Sequence, residues 1–497
     1  MKKQIITILL ATLLAATACY RDKGNYNYRD VDPVTVTGIA ESYVAFSYQD
    51  VLRVNPAVTN EERYDFCWLL YSTAFNVNAR VIPRPDTIAR SKNLEYAVRE
   101  NPGSYILVFS ARDKETGYTE LTTVPLTVTT VNMTGWYVLK DNGGKTEFDF
   151  FATDATPAPT VANWISLYND GRQLDGAAVK AVFVPGFKIT PNDDPLNVFA
   201  VVSGNDAAII RIDNGEIIMD YDNMFFIRPL ARNPQNIILD LSENTIYMIN
   251  DHILYTMNKV GGLFVDPPSW DYRVSPLSAI SFSPLIIVFD EQAKSLIRFG
   301  NNLFSPYNDA STALKLNNLD AEVMWMEGYN YPRWRVYALL EHASPAGTFS
   351  LVKLQNDYGG STSVIGESQD IPSTLQLPHA DKWAGNFEYD IIYFARDNKL
   401  YRANMDTNPP VESLQVTFEP GEVITCMQHM VKPVPQSPGT VVKNCLAVAT
   451  YAAGRYKVYL YSIEVGNLVP LEHPNFQGEG RVTTVNYVQP DGSLRVF

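Results

Sequence analysis

Cys19 carries the clearest chemistry in the sequence, because its thiol directly follows the small residues Ala16, Thr17 and Ala18. A thiol in that position can be acylated, and cleavage just before it frees an amine as the new N-terminus. Lys2 and Lys3 precede an apolar run from Ile5 to Leu14, which has the charge and length of a secretory leader and is too short to span a bilayer as a mature helix. Ala16 stands where the usual lipobox has leucine, with Leu13 and Leu14 further back. Residues 1–18 therefore read as a bacterial lipoprotein signal and Cys19 as the lipid attachment site. Simple secretion with cleavage nearby is the alternative.

Other reactive side chains form no recognisable constellation. The five histidines are His252, His342, His379, His429 and His473, and none has a second histidine four residues on with a glutamate between, the arrangement that places two zinc ligands on one helix face. His252 reads as a loop residue next to a hairpin turn. No Gly-x-Ser-x-Gly elbow and no glycine-rich phosphate loop occur, so serine and nucleotide chemistry are disfavoured. Asn192-Asp193-Asp194 and Asp220-Tyr221-Asp222-Asn223 could offer oxygens to calcium but lack the EF-hand pattern and read as turns. A carboxylate pair for glycoside hydrolysis is unreadable without its spacing in space. No catalytic residue, metal ligand or cofactor is assigned.

The aromatic residues Trp270 and Tyr272, in the proline-rich segment from Pro267, and Trp383, after His379-Ala380-Asp381-Lys382, are the candidate ligand contacts. Loop aromatics stack on sugar rings or grip peptide side chains when a rigid scaffold holds them. They can equally be plugs that fill space between sheets. Of the later cysteines, Cys426 and Cys445 could face each other across a hairpin centred near Pro435. The other reading makes Cys67, Cys426 and Cys445 three small buried hydrophobes.

The elements that would position these groups are strands. At 497 residues and 46% hydrophobic content the chain is long enough for two or more folded units. A formal charge of −14 argues against nucleic acid or an anionic membrane surface as a partner. Residues 19–32 are polar and read as anchor and tether. In residues 33–131, Val34 to Ile39, Phe66 to Leu70, Tyr105 to Ser110 and Leu121 to Val128 are β-branched or aromatic runs between turn-forming clusters, the pattern of an Ig-like or PKD-like β-sandwich. Trp68 would be its central aromatic, Gly103 would turn the chain into the strand of Tyr105, and Gly117 would supply a positive φ to close a hairpin.

Over residues 132–497 an apolar strand, a polar turn and a second strand recur seven times, with first strands beginning at Trp136, Val198, Thr245, Leu285, Trp334, Tyr389 and Leu446. A period of roughly fifty residues is that of a four-stranded blade with its loops, so the fold class is all-β, a sandwich followed by a seven-bladed β-propeller. Six or eight blades, or a pair of sandwiches, are the alternatives. Closure would join a strand near Trp136 with one near Val482 to Val488 or Leu494 to Phe497.

Cys19 followed by an aromatic and Gly24-Asn25-Tyr26-Asn27-Tyr28, then Tyr64-Asp65-Phe66-Cys67-Trp68, Lys92-Asn93-Leu94-Glu95-Tyr96, Pro102-Gly103-Ser104-Tyr105-Ile106 and Ala111-Arg112-Asp113-Lys114-Glu115-Thr116-Gly117, resembles the PKD-like lipoproteins of Bacteroidetes. The specific match covers the leading 130 residues or so. The resemblance implies a surface-exposed outer-membrane lipoprotein beside a SusC/SusD-type importer and other surface lipoproteins, with a peptide, protein or glycan ligand. Together with the absent catalytic motifs, it points to a non-catalytic binding protein. The alternatives are a carboxylate-based hydrolase or lyase and a purely structural docking platform.

Overall fold

A computed structural model describes residues 34–47, 50–73, 84–129, 134–153, 160–240, 244–266, 271–280, 286–300, 302–307, 314–329, 335–356, 364–386, 389–435, 440–471 and 475–488. The leader, Cys19 and the tether lie outside them, as do Trp270 and His473. The chain divides into two compact units, the first built mainly from residues up to Thr127 and the second mainly from Val128 onward.

In the first unit, strands Tyr43–Phe46, Thr119–Thr129, Gly103–Asp113, Tyr64–Ser72 and Asp86–Ala89 form one sheet in that spatial order, beside the two-stranded ladders Val36–Thr37 with Ala57–Val58 and Val51–Val54 with Leu94–Ala97. Trp68 is fully buried; its ring lies 4.8 Å from that of Phe109 and its indole donates to the Lys92 carbonyl at 3.0 Å. Gly117 takes the positive φ of 73° that its hairpin needs, and Asp113 Oδ1 accepts the Glu115 and Thr116 N–H groups across the same turn. Gly103 is the first residue of its strand, with no positive φ.

The second unit is a seven-bladed β-propeller. Blades 2 to 7 follow chain order: Ala178–Asp220, Pro234–Asn258, Val274–Pro306, Ala321–Ile371, Lys382–Thr417 and Val423–Pro470 mark their first and last strands. Blade 1 takes Gly135–Asp141, Lys145–Ala152 and Thr160–Val161 from the start of the unit and its inner strand, Arg481–Val488, from the end. Each inner strand neighbours the next all the way round, from Arg481–Val488 through Ala178–Phe187, Pro234–Asp240, Val274–Ile280, Ala321–Tyr329, Lys382–Asn386 and Val423–Pro435 back to Arg481–Val488.

All seven sequence-predicted hairpins are the second and third strands of these blades. Such strands lie between neighbouring sheets and bury both faces, so period-two alternation sends successive residues to different cores. Val336, Ala338 and Leu340 pack toward blade 4, whereas Tyr337 and Leu339 pack toward blade 6. The core is accordingly a circle of clusters, one at each blade interface.

Buried polar groups add specific ties. Lys140 Nζ contacts Asp149 Oδ1 at 2.8 Å within blade 1, and Tyr456 of blade 7 donates to Asp149 Oδ2 at 2.6 Å. Blades 5 and 6 repeat this composition: Lys353 Nζ reaches Asp390 Oδ2 at 3.1 Å, and the Tyr337 hydroxyl donates to Asp390 Oδ1. Close approach also needs glycine. A Cβ on Gly328 of blade 5 would meet the Ile280 carbonyl oxygen of blade 4 at 2.2 Å.

Cys426 and Cys445 share the core between blades 7 and 1, yet Cys426 lies opposite Ala449 and Cys445 opposite Met430. That four-residue offset separates them by about 13 Å along the strands, too far for a bridge. The buried-hydrophobe reading holds for this pair.

Candidate functional site

Inner strands differ from the others because each must turn an unpaired edge to the propeller axis. That requirement brings polar residues into otherwise apolar segments: Lys180 in Ala178–Phe187, Asn236 in Pro234–Asp240, Glu327 in Ala321–Tyr329, Gln428 and His429 in Val423–Pro435, and Thr484 and Asn486 in Arg481–Val488. A cavity of about 380 Å³ opens between them, lined by residues from six of the seven inner strands. The seventh strand sends the Gly385 N–H to Glu327 Oε2 at 2.9 Å.

Several of these groups tie one blade to the next. Asn486 Nδ2 donates to the Ala181 carbonyl at 3.5 Å, and Gln428 Oε1 accepts the Val485 N–H at 3.3 Å. Asn236 donates to the Pro276 carbonyl at 2.7 Å and accepts from Lys180 Nζ at 3.1 Å. Hydrogen bonds satisfied across blades hold the cavity wall in one geometry.

Lys180 and Glu327 are the charged residues of the lining, and among the described residues neither has an ion-pair partner. Both are half-buried, their remaining exposure directed at the cavity. Burial pulls the Lys180 ammonium down to about 8, with the Glu327 charge opposing it. Burial likewise pushes the Glu327 carboxyl up to about 7, against the Gly385 N–H, the Lys180 charge and the Trp325 indole. His429, held at about 4 by burial, is neutral near pH 7. Burial pushes the Cys426 thiol up to about 12, so it offers no thiolate. The site thus presents one cation and one carboxyl that ionises near pH 7, among neutral donors and acceptors.

The two sequence-predicted aromatic residues that are described, Tyr272 and Trp383, lie elsewhere. Tyr272 packs its ring 4.9 Å from Phe304, against the core between blades 3 and 4. Trp383 donates to the Leu377 carbonyl at 2.9 Å and packs against the core between blades 5 and 6. Neither lines the axial cavity. The acidic clusters close turns: Asp193 Oδ2 accepts the Thr190 N–H, and Asp222 pairs with Arg228 and Arg232. His252 sits in a hairpin turn with a φ of 63°.

A second cavity, of about 680 Å³, lies at the outer side of blade 3. Only three strands form that blade among the described residues, and Val265 bridges to Thr256 where a fourth would pair. Its lining carries no acid or base apart from Tyr247. The axial cavity has the convergent polar groups expected of a ligand site.

Residues 19–177 match the PKD-like family, a span that runs beyond the sandwich into blade 1. No curated protein matches the chain. Among solved structures, the chain is similar to a quinonprotein alcohol dehydrogenase-like protein from Bacteroides thetaiotaomicron, at 12% identity and a TM-score of 0.50, covering 90% of this chain and 97% of that one. It is also similar to the WD40 domain of SCAP from fission yeast, at 11% identity and a TM-score of 0.35, covering 64% of this chain and 75% of that one. At these identities the first likeness bears on the fold alone. A PKD-like domain therefore leads this all-β chain, and a β-propeller follows it.

Proposed function

We propose that this chain is a non-catalytic surface lipoprotein of the outer membrane, anchored through Cys19, that binds a nutrient ligand beside a SusC/SusD-type importer. The observation that carries the binding reading is the axial cavity, in which polar groups from separate blades converge on one space inside a closed ring. Rigid placement of few polar groups on an apolar scaffold is how binding sites gain specificity without paying for reorganisation. Among the described residues the cavity presents one carboxylate, Glu327, whereas hydrolysis by a carboxylate pair needs two. Tyr272 and Trp383, with Trp270, are proposed as further contacts for ligands that extend over the loops.

Calorimetric titration of the purified mature chain with short peptides and oligosaccharides tests this. Saturable heat without turnover supports it. Turnover abolished by Glu327→Gln would make the protein an enzyme. A stable complex with other lipoproteins, with no response to any ligand, would make it a docking platform. Protease shaving of intact cells tests the surface location.

A further inference from the structure

The axial cavity combines features that neutral-ligand recognition does not require. Lys180 enters from blade 2 and Glu327 from blade 5, on opposite sides of a seven-blade ring. Each is held by neutral neighbours: Lys180 by the Asn236 side-chain oxygen, Glu327 by the Gly385 N–H. Lys180 has three N–H donors and Glu327 two acceptor oxygens, so both retain hydrogen-bonding capacity toward the cavity. A charge withdrawn from water is costly unless something of opposite sign meets it. In the two most deeply buried lysine sites among the described residues the partner is already in direct contact: Lys140 meets Asp149, and Lys353 meets Asp390. Lys180 and Glu327 feel each other's charge without a direct ion pair.

We infer that the axial cavity binds a small zwitterion, a free amino acid or short peptide, whose carboxylate meets Lys180 and whose ammonium meets Glu327. Such a ligand completes two ion pairs at once and leaves the cavity neutral overall. Gln428, Asn486 and Thr484 supply donors and acceptors for a peptide group between the two ends. His429 and Cys426, the other titratable groups of the lining, are uncharged near pH 7 and do not compete for either end. At about 380 Å³ the space takes one small molecule and not a folded chain. This assignment rests on the binding reading above and narrows it to a ligand class.

The test is titration of the full mature chain with alanine, dialanine and trialanine, with the N-acetylated and C-amidated form of each, and with maltotriose. At least one free alanine compound should bind, and blocking either of its ends should weaken it at least tenfold. Lys180→Met should erase the penalty for amidation, and Glu327→Gln the penalty for acetylation, while each keeps the other penalty. Circular dichroism and thermal melts of each variant establish that it is folded. Equal affinity for free and blocked forms would overturn the zwitterion assignment. Binding of maltotriose alone, unaffected by Lys180→Met and Glu327→Gln, would overturn it and leave the binding reading standing. Absence of heat with every compound would count against both.

Discussion

Trp136, in the first strand of the propeller, lies directly opposite Tyr487, in its last described strand, with ring centroids 4.9 Å apart. The two ends of a 350-residue ring are thereby joined inside one sheet, through the ladder between Gly135–Asp141 and Arg481–Val488. Closure is a long-range pairing, so its contacts stabilise the ring only once the other blades are in place. Tyr487→Ala is expected to cost about 3 kcal/mol, as for other large aromatic truncations in a core. Chemical denaturation followed by tryptophan fluorescence checks it. Removing the chain from Arg481 onward should abolish the cooperative transition.

Lys140 is 2% exposed, and its partner Asp149 also accepts from Tyr456 of blade 7. Lys140→Met leaves that carboxylate buried with its counter-ion gone, which should cost about 3–5 kcal/mol. A Lys140→Met/Asp149→Leu double variant should recover much of the loss, because it removes the uncompensated charge as well. A denaturation cycle over the four proteins measures both values.

Glu327 should oppose stability at neutral pH. Its folded value of about 7 lies above the 4.5 of an unperturbed carboxyl, so the folded protein holds an extra proton between those limits. That contribution is complete below pH 4.5 and is lost as pH rises through 7. Glu327→Gln removes the dependence and should be more stable than the parent above pH 7, by roughly 3 kcal/mol from the size of the shift. Melting temperatures across pH 5–8 show whether the two proteins diverge toward the alkaline side.

His429 acts in the other direction. Burial depresses its folded value to about 4 from 6.5, so the unfolded chain takes up the proton first as pH falls. The neutral form supports the fold above pH 6.5, and the support drains away down to pH 4, on the order of 3 kcal/mol in all. His429→Gln should flatten the acid limb of the stability profile. Because Glu327 gains stability over part of the same range, the comparison is best made in a Glu327→Gln background.

Affinity for a zwitterion should follow a bell-shaped pH profile. Glu327 becomes an anion as pH rises through about 7, and Lys180 ceases to be a cation as pH rises through about 8. Binding therefore peaks between those values and weakens on either side. Glu327→Gln should remove the acid limb and Lys180→Met the alkaline limb, both read from calorimetric titrations at pH 6 to 9.

What the sequence by itself determined follows from burial on two faces. The second and third strands of each blade are covered on both sides, so Val198–Ser203, Ile286–Asp290 and Ile391–Arg396 read as nearly unbroken apolar runs. Their repetition indicated the all-β class and favoured seven blades over six or eight, with the strand near Trp136 in the closure, whereas the structure decided the blade number and the partner strand Arg481–Val488. Trp68 and Gly117 were legible because a buried aromatic on a strand and a positive-φ turn each favour few residue types.

The axial site was not legible, since Lys180, Glu327 and His429 lie more than a hundred residues apart or in different blades, inside strands that a lone polar residue makes ambiguous. A polar residue at mid-strand in successive blades was the available signal, and it has no meaning until the axis is known. The offset of Cys426 from Cys445 likewise depended on strand register. Which residues meet across the ring is decided by closure, because only the completed circle brings seven inner edges around one axis. Sequence distance carries no trace of that geometry.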